Sequence, residues 1–518
     1  MSGSADVEVA DPDDPSGTPR NAPDGGEVLD ARPIADHRHG TNPADGAATD
    51  AIPGNGTAPG DVATGDIATC DIVPDDTATD GAPEVVPLLE PAGPVAGPIS
   101  DRSELLHWAD LLSSAGGPVA IDAERASGFR YGSRAYLVQL RRPDVGTVLI
   151  DPIPLGDLSE LDAPLAASEW VLHAANQDLP CLADIGIRPR RLFDTELAGR
   201  LAGLPRVGLG PLVEQMLGLH LRKGHGAADW STRPLPQDWL TYAALDVEVL
   251  VELRDAMEDL LRRQGKLDWA RQEFDAIIAA PPAVPRVDPW RRTSGMHRIT
   301  DRRALAIIRE LWITRDALAR RRDVAPHRIL PDSAIVAASV AKPTTTAALT
   351  ALPVFSGRMQ RRSAAVWLAA IARGLGLPAE ELPAVRLPGD GPPAPAKWAS
   401  RDPAAAARLQ AARTALADLS ERMAVPVENL LSPDTVRRVL WSPPATGDLP
   451  RALAERGARP WQIELTAPLL AAALDVGTGA GTGTGTGAGH PAATGADPDA
   501  DGAAGAGTDN GTTAGAGA

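Results

Sequence analysis

The chain has 518 residues, 43% of them hydrophobic and 23% charged, with a formal net charge of −18; that length predicts roughly two to four domains rather than one core. No run of about 18 apolar residues occurs, and the start MSGSADVEVA has no basic segment leading into an apolar one, so neither a spanning helix nor a leader is expected and the chain reads as soluble and cytoplasmic. Cys70 and Cys181 are the only cysteines, which excludes a disulfide framework and a thiolate metal site.

Residues 1–90 hold 19 Asp or Glu against three Arg. Low hydrophobicity with high charge cannot offset the entropy of ordering, so residues 1–97 are predicted to be a disordered acidic tail. Residues 475–518, with GTGAGTGTGTGAG and no Lys or Arg, read as a second disordered tail. Between the tails, residues 91–475 carry a net charge of only +2. The overall acidity therefore misdescribes the folded part.

From residue 98 to about 280 the pattern alternates strand and helix. GPVAI (117–121), AYLVQL (135–140), TVLI (147–150) and WVLH (170–173) read as strands, the middle pair joined as a hairpin through RRPDVG. Helices are predicted over Glu104–Ser113, around Asp178–Ile185, over Thr195–Leu201, over Gly210–Leu217, and as one long element from Gln237 to Arg263. This is an α/β domain with a partly antiparallel sheet. Beyond the PPAVP linker (281–285) strand signals vanish and two helical domains are expected, over 286–376 and 395–474. A repeat at an offset of 101 supports them: LARRRDVAPHRILPDSAI (318–335) matches LSERMAVPVENLLSPDTV (419–436), with Leu318, Val324, Leu330 and Ile335 on Leu419, Val425, Leu431 and Val436. Between Arg286 and Arg328 twelve Arg face five acids. Such a stretch suits a polyanion such as nucleic acid, or equally a solvated face laced with i, i+4 pairs.

Four acids and a tyrosine stand out. Asp122 and Glu124 end the apolar strand PVAIDAE; residues i and i+2 share a strand face, so both carboxylates point one way. Asp178 follows WVLH. Asn176 could cap a helix here and leave Asp178 in its first turn, where the helix dipole favours an anion without any function. Asp194, in LFDTEL, is assigned to local capping. Tyr242 and Asp246 lie four apart on one helix face. His173 reads as a hydrogen-bonded core histidine and Cys181 as buried filler.

Together these segments resemble the DEDD exonuclease superfamily, in the subgroup whose third motif is Tyr-x-x-x-Asp, and within it the ribonuclease D family. The resemblance rests on IDAERASGFRYGSRAYLVQL (121–140), LHAANQDLPCL (172–182), LFDTELAGRL (192–201) and LRKGHGAADWSTRPLPQDWLTYAALDVEVL (221–250), with DWSTRPL the most specific segment. The basic helical region resembles the HRDC (helicase and RNase D C-terminal) domain, which that family carries in duplicate. Departures are Ala123, where the family commonly has threonine, and a diverged second helical copy.

The resemblance implies a ribonuclease-H-like α/β exonuclease domain followed by all-α HRDC-type domains. It implies two divalent ions, Mg²⁺ or Mn²⁺, about 4 Å apart. Asp122 would bridge them, Glu124 and Asp246 would hold the nucleophile-side ion, and Asp178 would support the other through water. Tyr242, with a phenol near pKa 10, would position the attacking water rather than act as a base. Expected products are nucleoside 5′-monophosphates from RNA 3′ ends, with tRNA precursors or other structured RNA as substrate and a monomeric enzyme. Arg302, Arg303, Arg321 and Arg322 are candidates to grip the RNA backbone. Lys223 and Arg233 either contact phosphates near the site or fix their loop through carboxylate pairs. The alternatives are a DNA exonuclease, disfavoured by the lack of a GxxxxGK[ST] motif, and a non-catalytic RNA-binding scaffold, disfavoured by the presence of all five site residues.

Overall fold

The computed structural model describes residues 85–476 apart from 223, 283, 388, 390 and 446. Most of both expected tails, and Lys223, lie outside the described residues. The N-terminal boundary at residue 97 needs correction, because Val86–Leu88 (β1) and Val95–Ile99 (β2) are strands. Their pairing is supplied by distant main-chain partners, β8 and β5, which the composition of the segment does not encode.

The main sheet has six strands: β2, Val119–Arg125 (β3), Ala135–Arg142 (β4), Gly146–Ile150 (β5), Glu169–Leu172 (β6) and Arg191–Asp194 (β7). Their spatial order is β2-β5-β4-β3-β6-β7. β3, β4 and β5 run antiparallel to one another in sequence, while β6 and β7 continue parallel to β3. Leu219–Leu221 (β8) pairs with β1 in a separate two-stranded sheet. β3 is central, and Val119, Ala120 and Ile121 are fully enclosed. That is why PVAI reads as a continuous apolar run instead of alternating.

The single long helix expected from Gln237 to Arg263 is two helices, Gln237–Glu248 and Leu250–Arg263. The guanidinium of Arg141 on β4 donates to the Glu248 carbonyl at 2.9 Å and pairs with its carboxylate at 3.1 Å. A carbonyl captured by a side chain no longer anchors the next turn, and Val249 leaves helical geometry (φ −108°, ψ 2°).

The two helical units repeat element by element at the offset of 101. Arg302–Arg322, Pro326–Ile329 and Asp332–Ala341 correspond to Pro403–Met423, Val427–Leu430 and Pro433–Trp441. Even the left-handed residues that end the first helices coincide, Asp323 and Ala424, each at φ 48°. Each unit has its own core, one built on Trp290, Phe355 and Trp367, the other on Trp398, Leu409 and Leu440. In the first, Gly374 lets two helices touch: a Cβ there would lie 2.8 Å from the Ile307 Cα.

Both units dock on the α/β domain through the same turn. In the first, Ala325 N donates to Phe129 O at 2.9 Å and Asp323 accepts from Tyr131 N. In the second, Ala424 meets Gly203 so closely that a Cβ on that glycine would sit 2.4 Å from the Ala424 carbonyl oxygen. Trp461 stacks on Trp269 with 4.9 Å between ring centroids, and Arg459 pairs with Glu273 at 2.9 Å. Among the described residues no helix is long and apolar enough to cross a membrane.

Candidate active site

β3 outruns its neighbour. Its pairing with β6 ends at Ala120↔Val171, whereas its pairing with β4 continues to Arg125. Asp122 and Glu124 therefore stand at the carboxyl end of a central strand, over the crevice that opens where β6 stops. The helix Gln237–Glu248 crosses this end and brings Asp246 down onto them. Carboxylate oxygens of Asp122, Glu124 and Asp246 all lie within 4.8 Å of one another.

Asp178 reaches the same cavity from the connection after β6. It occupies the N-cap position of the helix Leu179–Asp184, but its carboxylate makes no capping bond. Asn176, read as a possible cap, lies instead in the preceding 3-10 turn and is exposed. The Asp178 carboxylate lies 3.2 Å from the Arg125 guanidinium, which also donates to the Gln177 carbonyl. Asp194 supports this arrangement. Besides capping its own helix through Glu196 N and Leu197 N, it accepts from Ala174 N and Ala175 N at 3.0 and 2.9 Å, fixing the turn that delivers Asp178. Local capping was legible; the second grip was not, because it joins segments 20 residues apart.

Electrostatics set the character of the site. Burial, then repulsion from Asp122, Asp246 and Asp178, pushes Glu124 up to about 10. Asp178 and Asp246 rise to about 8, by burial first and by the Asp122 charge second, and burial also raises Asp122. The Tyr242 hydroxyl hydrogen-bonds to Asp246; burial and the surrounding anions hold its phenol far above the ordinary range. It stays a donor. His173 is bonded to Thr195 Oγ1 at 2.9 Å and kept neutral by burial, its pKa lowered to about 4. Burial, with the Asp178 charge, raises the Cys181 thiol to about 12 and makes it inert.

The DWSTRPL segment walls the tyrosine. Trp230 is fully buried, donates to the His225 carbonyl at 3.1 Å, and lies 6.5 Å from the Tyr242 ring. Arg233 uses all five N–H donors within the protein. Two go to the Asp151 carboxylate at 2.6 and 2.8 Å, and the rest to the carbonyls of Tyr136, Trp230 and Thr232. Of its two readings the carboxylate pair is the one realised, and the phosphate contact is withdrawn. Arg302 donates to the carbonyls of Pro383, Ala379 and Leu382 through Nε and Nη2, and Arg303 to those of Gly374 and Leu377 through Nη1, so each is partly committed within its own module. A charge run in a sequence does not reveal which carbonyls lie within reach. Arg321 and Arg322 are exposed, with no hydrogen bond or ion pair among the described residues.

All five predicted site residues line one open cavity of about 580 Å³, together with His173, read from the sequence as a core histidine, and with Arg125, Arg206, Glu214, His220 and Arg222, which the motif reading did not single out. A mixed sheet with an acidic cluster at the end of its central strand, faced by a tyrosine from the helix that crosses it, fits a nuclease of the 3′-5′ exonuclease class. The family model described as "3'-5' exonuclease" matches residues 97–262, the HRDC domain model matches 304–371, and one described as "3' to 5' exonuclease C-terminal domain" matches 391–474. Ribonuclease D from Granulibacter bethesdensis is 34% identical over 275 residues, covering 52% of this chain and 69% of the relative. That from Gluconacetobacter diazotrophicus is 34% identical over 291 residues, covering 54% and 72%. Among solved structures, a protein from Bifidobacterium adolescentis is 38% identical with a TM-score of 0.70, covering 76% of this chain and 100% of that one. Escherichia coli RNase D, an exoribonuclease involved in structured RNA processing, is 25% identical with a TM-score of 0.55, covering 73% and 98%. The chain belongs to the ribonuclease D family, and is an exoribonuclease.

Proposed function

We propose that this exoribonuclease is divalent-metal-dependent, removes nucleotides one at a time from RNA 3′ ends and releases nucleoside 5′-monophosphates. The observation that carries the reading is the convergence of Asp122, Glu124 and Asp246 within 4.8 Å. Three crowded carboxylates whose proton affinities are raised by burial and mutual repulsion form a donor set that suits hard divalent cations. Mg²⁺ or Mn²⁺ would be held by Asp122, Glu124 and Asp246, with Asp178 beside them on the same cavity. When bound, such ions acidify an attacking water and neutralise charge on a leaving oxygen.

The chain's own residues supply the rest. Tyr242 remains protonated, so it orients the attacking water by hydrogen bonding and does not take its proton. Trp230 and the fully bonded Arg233 keep that phenol in place. Asp194 and Arg125 fix the main chain and the carboxylate at Asp178. In the overall reaction the water's OH joins the phosphorus of the 3′-terminal nucleotide, and the proton passes to the departing 3′ oxygen of the nucleotide before it.

By likeness to the E. coli enzyme the substrate is structured RNA, such as a tRNA precursor with a 3′ extension. The purified protein, given Mg²⁺ or Mn²⁺ with 5′-labelled 3′-extended RNA and matched DNA, is expected to shorten the RNA stepwise. Asp122→Ala and EDTA should each abolish this. Shortening of DNA alone, or RNA binding without turnover, would overturn the reading.

A further inference from the structure

The cavity has two chemically opposite walls. One is the carboxylate wall of β3, the helix Gln237–Glu248 and the turn at Asp178. The other is built from the segment before the helix Leu209–Leu217, that helix, and β8, which packs beside it. An RNA 3′ end brings several phosphates, and the carboxylate wall repels them. Ions held by the carboxylates would take the reacting phosphate, which leaves the phosphates on its 5′ side to cations elsewhere in the cavity.

The cations on the cavity differ in what they are free to do. Arg125 is committed to Asp178 and the Gln177 carbonyl. His173 is kept neutral by burial and bonded to Thr195. His220 is engaged with Glu214, which lines the same wall. Arg206 and Arg222 remain: both are exposed, both line the cavity, and among the described residues neither has a hydrogen bond or an ion pair. Exposed guanidiniums with all donors open match phosphate oxygens, whereas Arg233 shows what an arginine of this protein looks like when its role is structural.

We infer that Arg206 and Arg222 form the phosphate-binding wall of the active site. They hold the backbone of the nucleotides on the 5′ side of the scissile bond while the carboxylate wall receives the terminal phosphate. The inference rests on the exonuclease reading and adds where, and by which residues, the incoming single strand is gripped. Because only backbone is touched, the grip is independent of base sequence.

Steady-state kinetics of the full chain on 3′-extended RNA, with Mg²⁺ and at several salt concentrations, tests it. Changing Arg206 and Arg222 together to Ala should raise KM roughly tenfold at low salt and leave kcat within about twofold. The dependence of log KM on log salt should flatten by about 1.4, as two lost single-strand phosphate contacts require. The double Lys variant should recover the slope. Should the double Ala variant not fold, each single Ala variant is expected to flatten the slope by about 0.7. An unchanged KM and slope would overturn the inference, as would a kcat loss in the Ala variant that Lys does not restore. A wild-type protein that leaves RNA intact would overturn the exonuclease reading itself, a distinct result.

Discussion

At the scale of single residues the site is a repulsive cluster held in place by its surroundings. Glu124, Asp178 and Asp246 bind protons more tightly in the folded chain than in the unfolded one, so they subtract from stability increasingly as pH rises above their unfolded values near 4, up to about 8 for the two aspartates and about 10 for Glu124. Asp246→Asn removes one member of the cluster. In EDTA at pH 8 it should melt higher than the wild type, by roughly 1–2 kcal/mol of stability, while losing activity. Mg²⁺ should raise the melting temperature of the wild type and much less that of the variant; equal shifts in both would place the metal elsewhere. His173 acts with the opposite sign. Its folded pKa is depressed to about 4, so its contribution is complete above the unfolded value near 6.5 and is lost as pH falls from there toward 4. The loss is at most about 3 kcal/mol. His173→Gln should flatten the acid limb of a denaturation-versus-pH curve, and parallel curves would show that this histidine does not titrate as inferred.

At the scale of elements, long-range hydrogen bonds explain what the amino-acid pattern could and could not convey. The strands β3 to β6 were legible because their apolar runs are long, and the repeat was legible because each helical copy buries the same positions, Leu330 and Leu431 for instance. β7 has only Leu192 and Phe193 between charged residues and β2 contains Gly-Pro; both are strands because neighbours supply their partners. The break at Val249 is likewise caused by Arg141, over a hundred residues away. Within the site, Tyr242 with Asp246 was visible as helical spacing, whereas Arg206 and Arg222 carry no periodic signal. Arg233 illustrates how much one such side chain can anchor. Arg233→Ala leaves the Asp151 carboxylate and three carbonyls without their donor, and should cost about 3 kcal/mol. Lysine should recover little of it, since an ammonium cannot reproduce the planar fork. Full recovery by lysine in chemical denaturation would reduce this contact to a simple charge pair.

At the scale of the whole molecule, two copies of one helical module clasp the α/β domain through equivalent turns, at Phe129–Tyr131 and at Gly203. The first contact lies on the loop that follows Asp122 and Glu124, and that loop in turn bonds to the DWSTRPL segment through Arg130 and Ser231 at 2.8 Å. The second contact includes the Trp461–Trp269 stack. Trp461→Ala should therefore loosen the second module, seen as faster amide exchange across residues 403–475, while exchange across β3–β5 stays slow; uniform protection would show that the stack is not what holds it. Under the proposed reaction, this scaffolding holds the Asp122, Glu124 and Asp246 cluster where water displaces a 3′ oxygen. Digestion of 3′-extended RNA in ¹⁸O-water with Mg²⁺, followed by mass spectrometry of the first products, tests that reaction directly. One ¹⁸O per molecule is expected on the phosphate of nucleoside 5′-monophosphates; nucleoside 3′-phosphates, or 5′-monophosphates without the label, would contradict it.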